Sequence, residues 1–261
     1  MRSLCLASPG ATGRTSPLLL LFLVLGCASR SHMAPPIFEA RTVAPARAHM
    51  DAVRSLAVFG DVEMEIEGRR FTGRVRFLYV APDRIRVDAE LPGFFGMMGG
   101  SGTVWVDRRQ LLWTSSAEPG IHAEREEPVL SAVMGRPPRV DDLKVLVFGL
   151  PVFWPRSARP ALESELRGPP GRGSVHLQYG DGLSEEGEIG GEPPVLHSLT
   201  RRDRAGTMAV AVLDDYRTVG HLRLPGRVTL RSPRTGGRAR FRWKRWELDR
   251  PDDITRMEWP R

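Results

Sequence analysis

The chain has 261 residues, is 41% apolar, and carries a net charge of +7 from 38 lysines and arginines against 31 acids. That length suits one ordinary domain with a single core; of the two cysteines, Cys5 lies in a leader and Cys27 at its end, which excludes a disulfide framework and a cysteine-held zinc site. The basic excess suits nucleic acid or an anionic membrane surface; for an exported chain the first loses its force, and solvated strand faces account for most of the excess, with a weak attraction to acidic headgroups besides.

Residues 1–26 read as a lipoprotein signal peptide. Arg2 and Arg14 make a positive start, Leu18 to Leu25 an apolar stretch, and Val24-Leu25-Gly26-Cys27 resembles the lipobox cut just before its cysteine. The apolar stretch falls short of the roughly 20 residues that span a bilayer, so Cys27 is expected to carry acyl chains and hold the protein to a membrane. Ala28 and Ser29 follow with no acid directly after the cysteine, which by the sorting rule of Gram-negative bacteria implies the outer membrane, facing the periplasm. Residues 27–45, with Pro35, Pro36 and Pro45 and no apolar period, read as a flexible tether. The folded domain is then 46–261.

A helix is expected over about 46–56. Val62, Met64 and Ile66 then alternate with Glu63, Glu65 and Glu67, the period of a half-buried strand. Gly68-Arg69 reads as a hairpin turn into Phe71, Gly73, Val75, Phe77 and Tyr79, interleaved with Arg70, Arg74 and Arg76, so that Glu and Arg can pair across the exposed face. After Pro82-Asp83, Ile85, Val87 and Ala89 alternate with Arg84, Arg86 and Asp88. Further strands are expected near 103–106, 110–114 and 121–124, in a meander.

The period then breaks. Residues 128–134 and 141–148 fit two short helices, the second with Asp141 and Asp142 at its favourable end. Pro151 and Pro155 stop it, and a loop rich in Pro, Gly and Arg follows. Strands resume near 174–179, 195–201, 207–213, 227–231 and 239–248. In the last, Phe241 and Trp243 share one parity while Trp246 and Leu248 lie on the other, which a bulge would reconcile. The order of strands, two helices and strands makes an α+β fold, mostly β: one curved antiparallel sheet with helices against one side.

With these elements the chain resembles the LolA/LolB superfamily of lipoprotein carriers and acceptors. The resemblance rests on the opening helix, on Phe59-Gly60-Asp61-Val62, on Pro82-Asp83-Arg84-Ile85-Arg86-Val87-Asp88, and on Leu224-Pro225-Gly226-Arg227-Val228 before a terminal strand pair. It implies an unclosed half-barrel whose helices cover an apolar cavity, and the lipobox favours the anchored, LolB-like branch.

Between two strands stands Leu91-Pro92-Gly93-Phe94-Phe95-Gly96-Met97-Met98, where a hairpin loop ought to be polar. Exposed, it is a sticky apolar tip suited to a membrane or partner; folded back, it is core. By resemblance, Phe94 and Phe95, with Met97 and Met98, fall where a protruding loop of the LolB branch passes acyl chains into the membrane. By the same resemblance Arg84 or Arg86 tethers a helical lid, the alternative being a surface pairing with Glu63 or Glu65.

Parity nominates the cavity lining: Met64, Ile66, Val75, Phe77, Ile85, Val87, Val104, Val106, Leu143, Leu146, Phe148, Phe241 and Trp243, with Val62, Leu112, Phe153, Met208, Val210 and Val212 beside them. No G-x-S-x-G elbow, H-E-x-x-H pair or Cys/His cluster is present in the sequence, so neither a catalytic residue nor a metal or other cofactor is expected. The expected role is a non-enzymatic, monomeric lipoprotein of the outer membrane. It would take acyl chains of a lipoprotein or lipid from a periplasmic carrier and help insert them, with no nucleic-acid partner. The alternative is an adaptor lipoprotein using the same fold to hold a protein partner.

Overall fold

The computed structural model describes residues 43–92, 100–116, 120–123, 129–149, 172–179, 182–250 and 257. In chain order these form helix α1 (Ala44–Asp51) and strands β1 (Ser55–Ile66), β2 (Arg69–Val80), β3 (Arg84–Glu90), β4 (Ser101–Val106), β5 (Leu111–Ser115) and β6 (His122–Ala123). Helices α2 (Val129–Met134) and α3 (Val140–Phe148) follow, then β7 (Arg172–Gln178), β8 (Ser184–Gly190), β9 (Val195–Asp203), β10 (Gly206–Asp214), β11 (Arg217–Val219), β12 (Leu222–Leu224), β13 (Arg227–Arg231) and β14 (Arg238–Leu248).

Twelve strands make one antiparallel sheet in the order β6-β5-β4-β3-β2-β1-β14-β13-β10-β9-β8-β7, and β11 and β12 pair apart from it as a small hairpin. The first and last long strands are neighbours at the centre, while β6 and β7 are unjoined edges. The sheet is an unclosed half-barrel, as expected. Its inner face carries Val62, Met64, Val75, Phe77, Val228, Leu230, Phe241 and Trp243, which share one buried core with Leu143, Leu146 and Phe148 of α3 and with Leu222 and Leu224 of β12. Among the described residues no helix is long and apolar enough to cross a membrane.

Local chemistry sets the registers. The turn from β1 to β2 is Glu67-Gly68, one residue earlier than the sequence suggests: Ile66 pairs with Arg69, and both turn residues have positive φ, 52° and 75°. That is the backbone of a two-residue hairpin whose twist matches its strands. The bulge expected in the last strand is present. Gly60 faces Trp243 while Phe59 faces Arg245, so Lys244 is the additional residue and the parity changes there. Gly60 is required at this place, because a Cβ on it would run into the Arg242 carbonyl.

Three expectations are corrected. The opening helix ends at Asp51 rather than 56, because Ser55 to Val58 are a strand buried on both faces: Leu56 and Val58 in the main core, Ala57 in a small outer cluster with Leu78, Val80 and Met257. A short run buried on both sides has no strand period to read. In β10 a register shift between Thr207 and Ala209 turns the pattern over. Met208, Ala211 and Leu213 are buried and Val212 is 43% exposed, so Val212 lies on the outer face and is no part of the lining. In β5 it is Leu111 and Trp113 that are buried, with Leu112 on the other side.

Candidate functional site

The cover of the inner face is held by charge as well as by apolar packing. At the start of α3, Asp142 accepts the backbone N–H of Arg139 at 2.8 Å, as a carboxylate in the first helical turn does. It also receives the Arg136 guanidinium at 2.8 Å and that of Arg201 from β9 at 2.5 Å. Arg201 Nε donates to Glu185 of β8 at 2.6 Å, and the Tyr179 hydroxyl donates to the same carboxylate at 3.0 Å. Two arginines and two carboxylates balance, with Asp142 and Glu185 both buried. Burial works against the Arg201 charge, yet Asp142 and Glu185 outweigh it and hold its pKa above the ordinary value. Burial lowers that of Arg136. The Tyr179 phenol is pushed up, first by burial and then by Glu185.

About half a turn on, Lys144 reaches the other half of the sheet. Its Nζ lies 3.0 Å from Asp83 Oδ1, donates to the Pro82 carbonyl at 3.3 Å, and sits 5.3 Å from the centre of the Tyr79 ring. Arg108 closes on the other Asp83 oxygen at 2.5 Å. Helix α3 is thus a strap, tied to β8 and β9 by Asp142 and to the β2–β3 turn by Lys144.

This corrects the expectation for Arg84 and Arg86. Both share the outward parity of β3, opposite to buried Ile85 and Val87, so neither can reach a helix on the inner face. Arg86 donates to Asp88 at 2.8 Å and lies 5.6 Å from the centre of the Trp105 ring; the outer-face partner of Glu63 is Arg70, at 3.0 Å.

Among the described residues, two of the hollows lie under the cover. The larger, of about 300 Å³, is bounded by Pro45, Ala46, His49 and Met50 of α1, by Phe148, by Pro193, Pro194 and Val195, by Tyr216, and by His221, Leu222, Arg223 and Leu224 around β12. Its walls are mainly apolar. The Tyr216 hydroxyl donates to the Leu196 carbonyl at 2.5 Å, and burial pushes its pKa up. Polar groups gather at the mouth: His49 and His221 have ring centres 5.1 Å apart, His221 Nε2 lies 3.2 Å from the His49 carbonyl, and Arg223 is exposed beside them.

The smaller hollow, of about 40 Å³, lies over the first meander. Met64, Val75, Val87, Val104 and Phe241 line it as parity suggests, together with Val62, Ala89, Leu91, Trp113, Val129 and Leu130. Phe148 lines the larger one. Phe77, Ile85, Val106, Leu143, Leu146 and Trp243 are buried in the shared core and border neither hollow, and Ile66 packs against that core from its margin. The nominated residues are therefore brought together mainly as filled core. Cys27, Phe94, Phe95, Met97, Met98 and Phe153 lie outside the described residues.

Most of the larger hollow was invisible to strand parity. Val219 and Leu222 close a tight hairpin around Gly220-His221, with Gly220 at φ 60°, and Leu222 and Leu224 reach the core from it. The alternation of Leu222, Arg223 and Leu224 on either side of an Arg is the signal that could have found it. Among the described residues no group of three or more His, Cys, Asp or Glu side chains is placed to hold a metal.

Searches with protein-family models and among curated proteins give no match. Solved structures do match. A DUF1329 family protein from Desulfovibrio piger superposes with a TM-score of 0.54 at 10% identity, over 80% of this chain and 91% of that one. A LolA superfamily protein from Nitrosomonas europaea gives 0.50 at 12% identity, over 82% and 96%. A domain assigned to an outer membrane lipoprotein-sorting protein of Vibrio parahaemolyticus gives 0.51 at 10% identity, over 82% and 95%. At such identities the likeness is one of fold alone: this chain shares its overall fold with these three proteins, one of which is described as a LolA superfamily protein.

Proposed function

We propose that this chain is an envelope lipoprotein, anchored through Cys27, that shelters a single acyl chain beneath α1 and the β11–β12 hairpin without catalysing a reaction. The observation that carries the reading is the mainly apolar hollow of about 300 Å³, whose exposed lining residues include His49, His221 and Arg223. That volume lies at the lower end of small-molecule sites. If a methylene takes up about as much space as a liquid water, roughly 30 Å³, the hollow holds about ten carbons of one chain. Arg223, His49 and His221 stand where a polar or acidic headgroup would emerge. Delivery to the outer membrane, receipt from a periplasmic carrier and a membrane-entering tip at Phe94 and Phe95 complete the proposed role.

The test is a titration of the full chain carrying Cys27→Ser with a fluorescent single-chain fatty acid. Saturable binding of one equivalent is expected, and Ala46→Trp, which adds an indole to the wall, should weaken it at least tenfold at unchanged thermal stability. Binding that Ala46→Trp leaves untouched would move the site elsewhere. For the tip, Phe94→Ser with Phe95→Ser should slow transfer of a bound acyl chain to vesicles while leaving uptake intact.

One observation favours the adaptor alternative: the hollow over the first meander measures only about 40 Å³, too little for an acyl chain. If the chain takes up no amphiphile at all, an adaptor that binds a protein through the same fold becomes the better account.

A further inference from the structure

The outer face of β13 and β14 sets like charges against each other. Arg227 is paired across the strands with Arg242, and Arg231 with Arg238, while Arg240 sits between them opposite Thr229. All five arginines are exposed. Directly opposed like charges destabilise an antiparallel pair; on its other side β14 meets acids of β1, with Asp61 opposite Arg242 and Glu63 opposite Arg240. Asp214 holds Arg227 at 2.5 Å, Asp61 holds Lys244 at 2.5 Å, and Glu63 holds Arg70 at 3.0 Å. Glu65 stands opposite Arg238 in register. Among the described residues no ion pair forms to Arg231, Arg238, Arg240 or Arg242.

The flank of this ladder is apolar. Val210 stands opposite Arg231 and Val212 opposite Thr229 on the same face, and Val212 is 43% exposed. The rows of β10, β13, β14 and β1 up to the bulge carry no aromatic side chain on this side, and Phe59, opposite Arg245 beyond the bulge, already has the Arg245 and Arg76 guanidiniums 4.2 and 5.4 Å from its ring centre, so the surface lacks free stacking platforms of the kind that hold single-stranded nucleic acid.

We propose that this arginine ladder docks on anionic lipid headgroups, holding the outer face of the sheet against a phosphate-bearing bilayer surface. Guanidinium groups form paired hydrogen bonds to phosphate oxygens. A layer of phosphates would relieve the cross-strand repulsion that the free protein sustains, and the valine flank suits the boundary between headgroups and acyl chains. The inference is independent of the acyl hollow, which opens on the other face of the sheet.

The experiment is co-sedimentation of the full chain carrying Cys27→Ser with vesicles of phosphatidylcholine alone or with one quarter phosphatidylglycerol. Any binding by the leader, itself basic at Arg2 and Arg14, is common to this chain and its variants, so the comparison between them isolates the sheet face. At least tenfold more binding to the acidic vesicles is expected, falling steeply as salt is raised from about 0.05 to 0.3 M, where the Debye length shrinks to under 10 Å. Exchange of Arg231, Arg238, Arg240 and Arg242 for Gln should remove most of the excess binding to the acidic vesicles while the chain stays folded by circular dichroism. The pair Arg240→Gln and Arg242→Gln, a milder change, should lower binding part of the way. Equal binding to both vesicles, or acidic-vesicle binding kept by the milder pair and the fourfold variant alike, overturns the proposal. So does displacement from vesicles by equimolar duplex DNA, which would make the face a nucleic-acid surface.

Discussion

Asp142 takes charge from two arginines and a backbone N–H while only 4% exposed. Removing one partner of such a cluster strands the others in a poorly solvated place, at a cost of about 3–5 kcal/mol. Asp142→Asn is therefore expected to lower unfolding stability by about 3 kcal/mol in urea titration, and adding Arg201→Met should recover part of that loss. A loss confined to a few tenths would mean that the cluster contributes little.

The tyrosines give a second check. Of the three in the chain, Tyr179 and Tyr216 have pKa values pushed above the ordinary phenol value, both first by burial. A folded-state pKa above the unfolded one contributes stability that is full below about pH 10 and is lost as pH rises toward the folded value. In an alkaline titration, native protein at about pH 11 should thus show at most one phenolate by absorbance, and stability should fall with pH beyond 10. Three phenolates before unfolding would contradict the packing of both rings. The sequence reading saw Asp142 as a helix-start charge and no more, because its partner Arg201 stands 59 positions away and no local period links the two.

At the scale of elements, strand period and turn chemistry were legible wherever one face is buried and the other wet. β1, β2 and β3 keep the expected parity, and the break between Trp243 and Trp246 was readable as a bulge. Three situations hid the rest. Ser55 to Val58 are buried on both sides, so no alternation marks the end of α1. A register shift at Thr207 reverses the lower part of β10. β8, with sequence SEEGEIG, buries a glutamate and two glycines beside Ile189, and its only strongly apolar residue is that isoleucine. The bulge of β14 is itself testable. Gly60→Val adds a side chain where the Arg242 carbonyl already stands, and such overpacking is expected to cost about 1–3 kcal/mol, read as an earlier thermal midpoint. Gly68→Ala, at φ 75° in open space, should lose less.

For the whole molecule, the strap α3 joins the halves of a sheet whose edges never meet. One half is packed almost solid under it, and the other keeps an apolar hollow beneath α1 and the small hairpin. Sequence pattern pointed to one curved sheet with an apolar face, the resemblance implied the half-barrel, and parity spread the cavity lining over both halves and the second helix. Parity separates inner from outer faces, and only packing decides which inner residues touch one another and which leave space. The outer face, read from composition as a generic solvated surface, concentrates unpaired arginines on two neighbouring strands.

The central claim is that the hollow under α1 holds one acyl chain, and native mass spectrometry of the gently purified chain carrying Cys27→Ser tests it most directly. The account predicts a stoichiometric co-purified amphiphile with a single acyl chain, reduced or absent in Ala46→Trp. A clean mass that also refuses added single-chain fatty acid would contradict it.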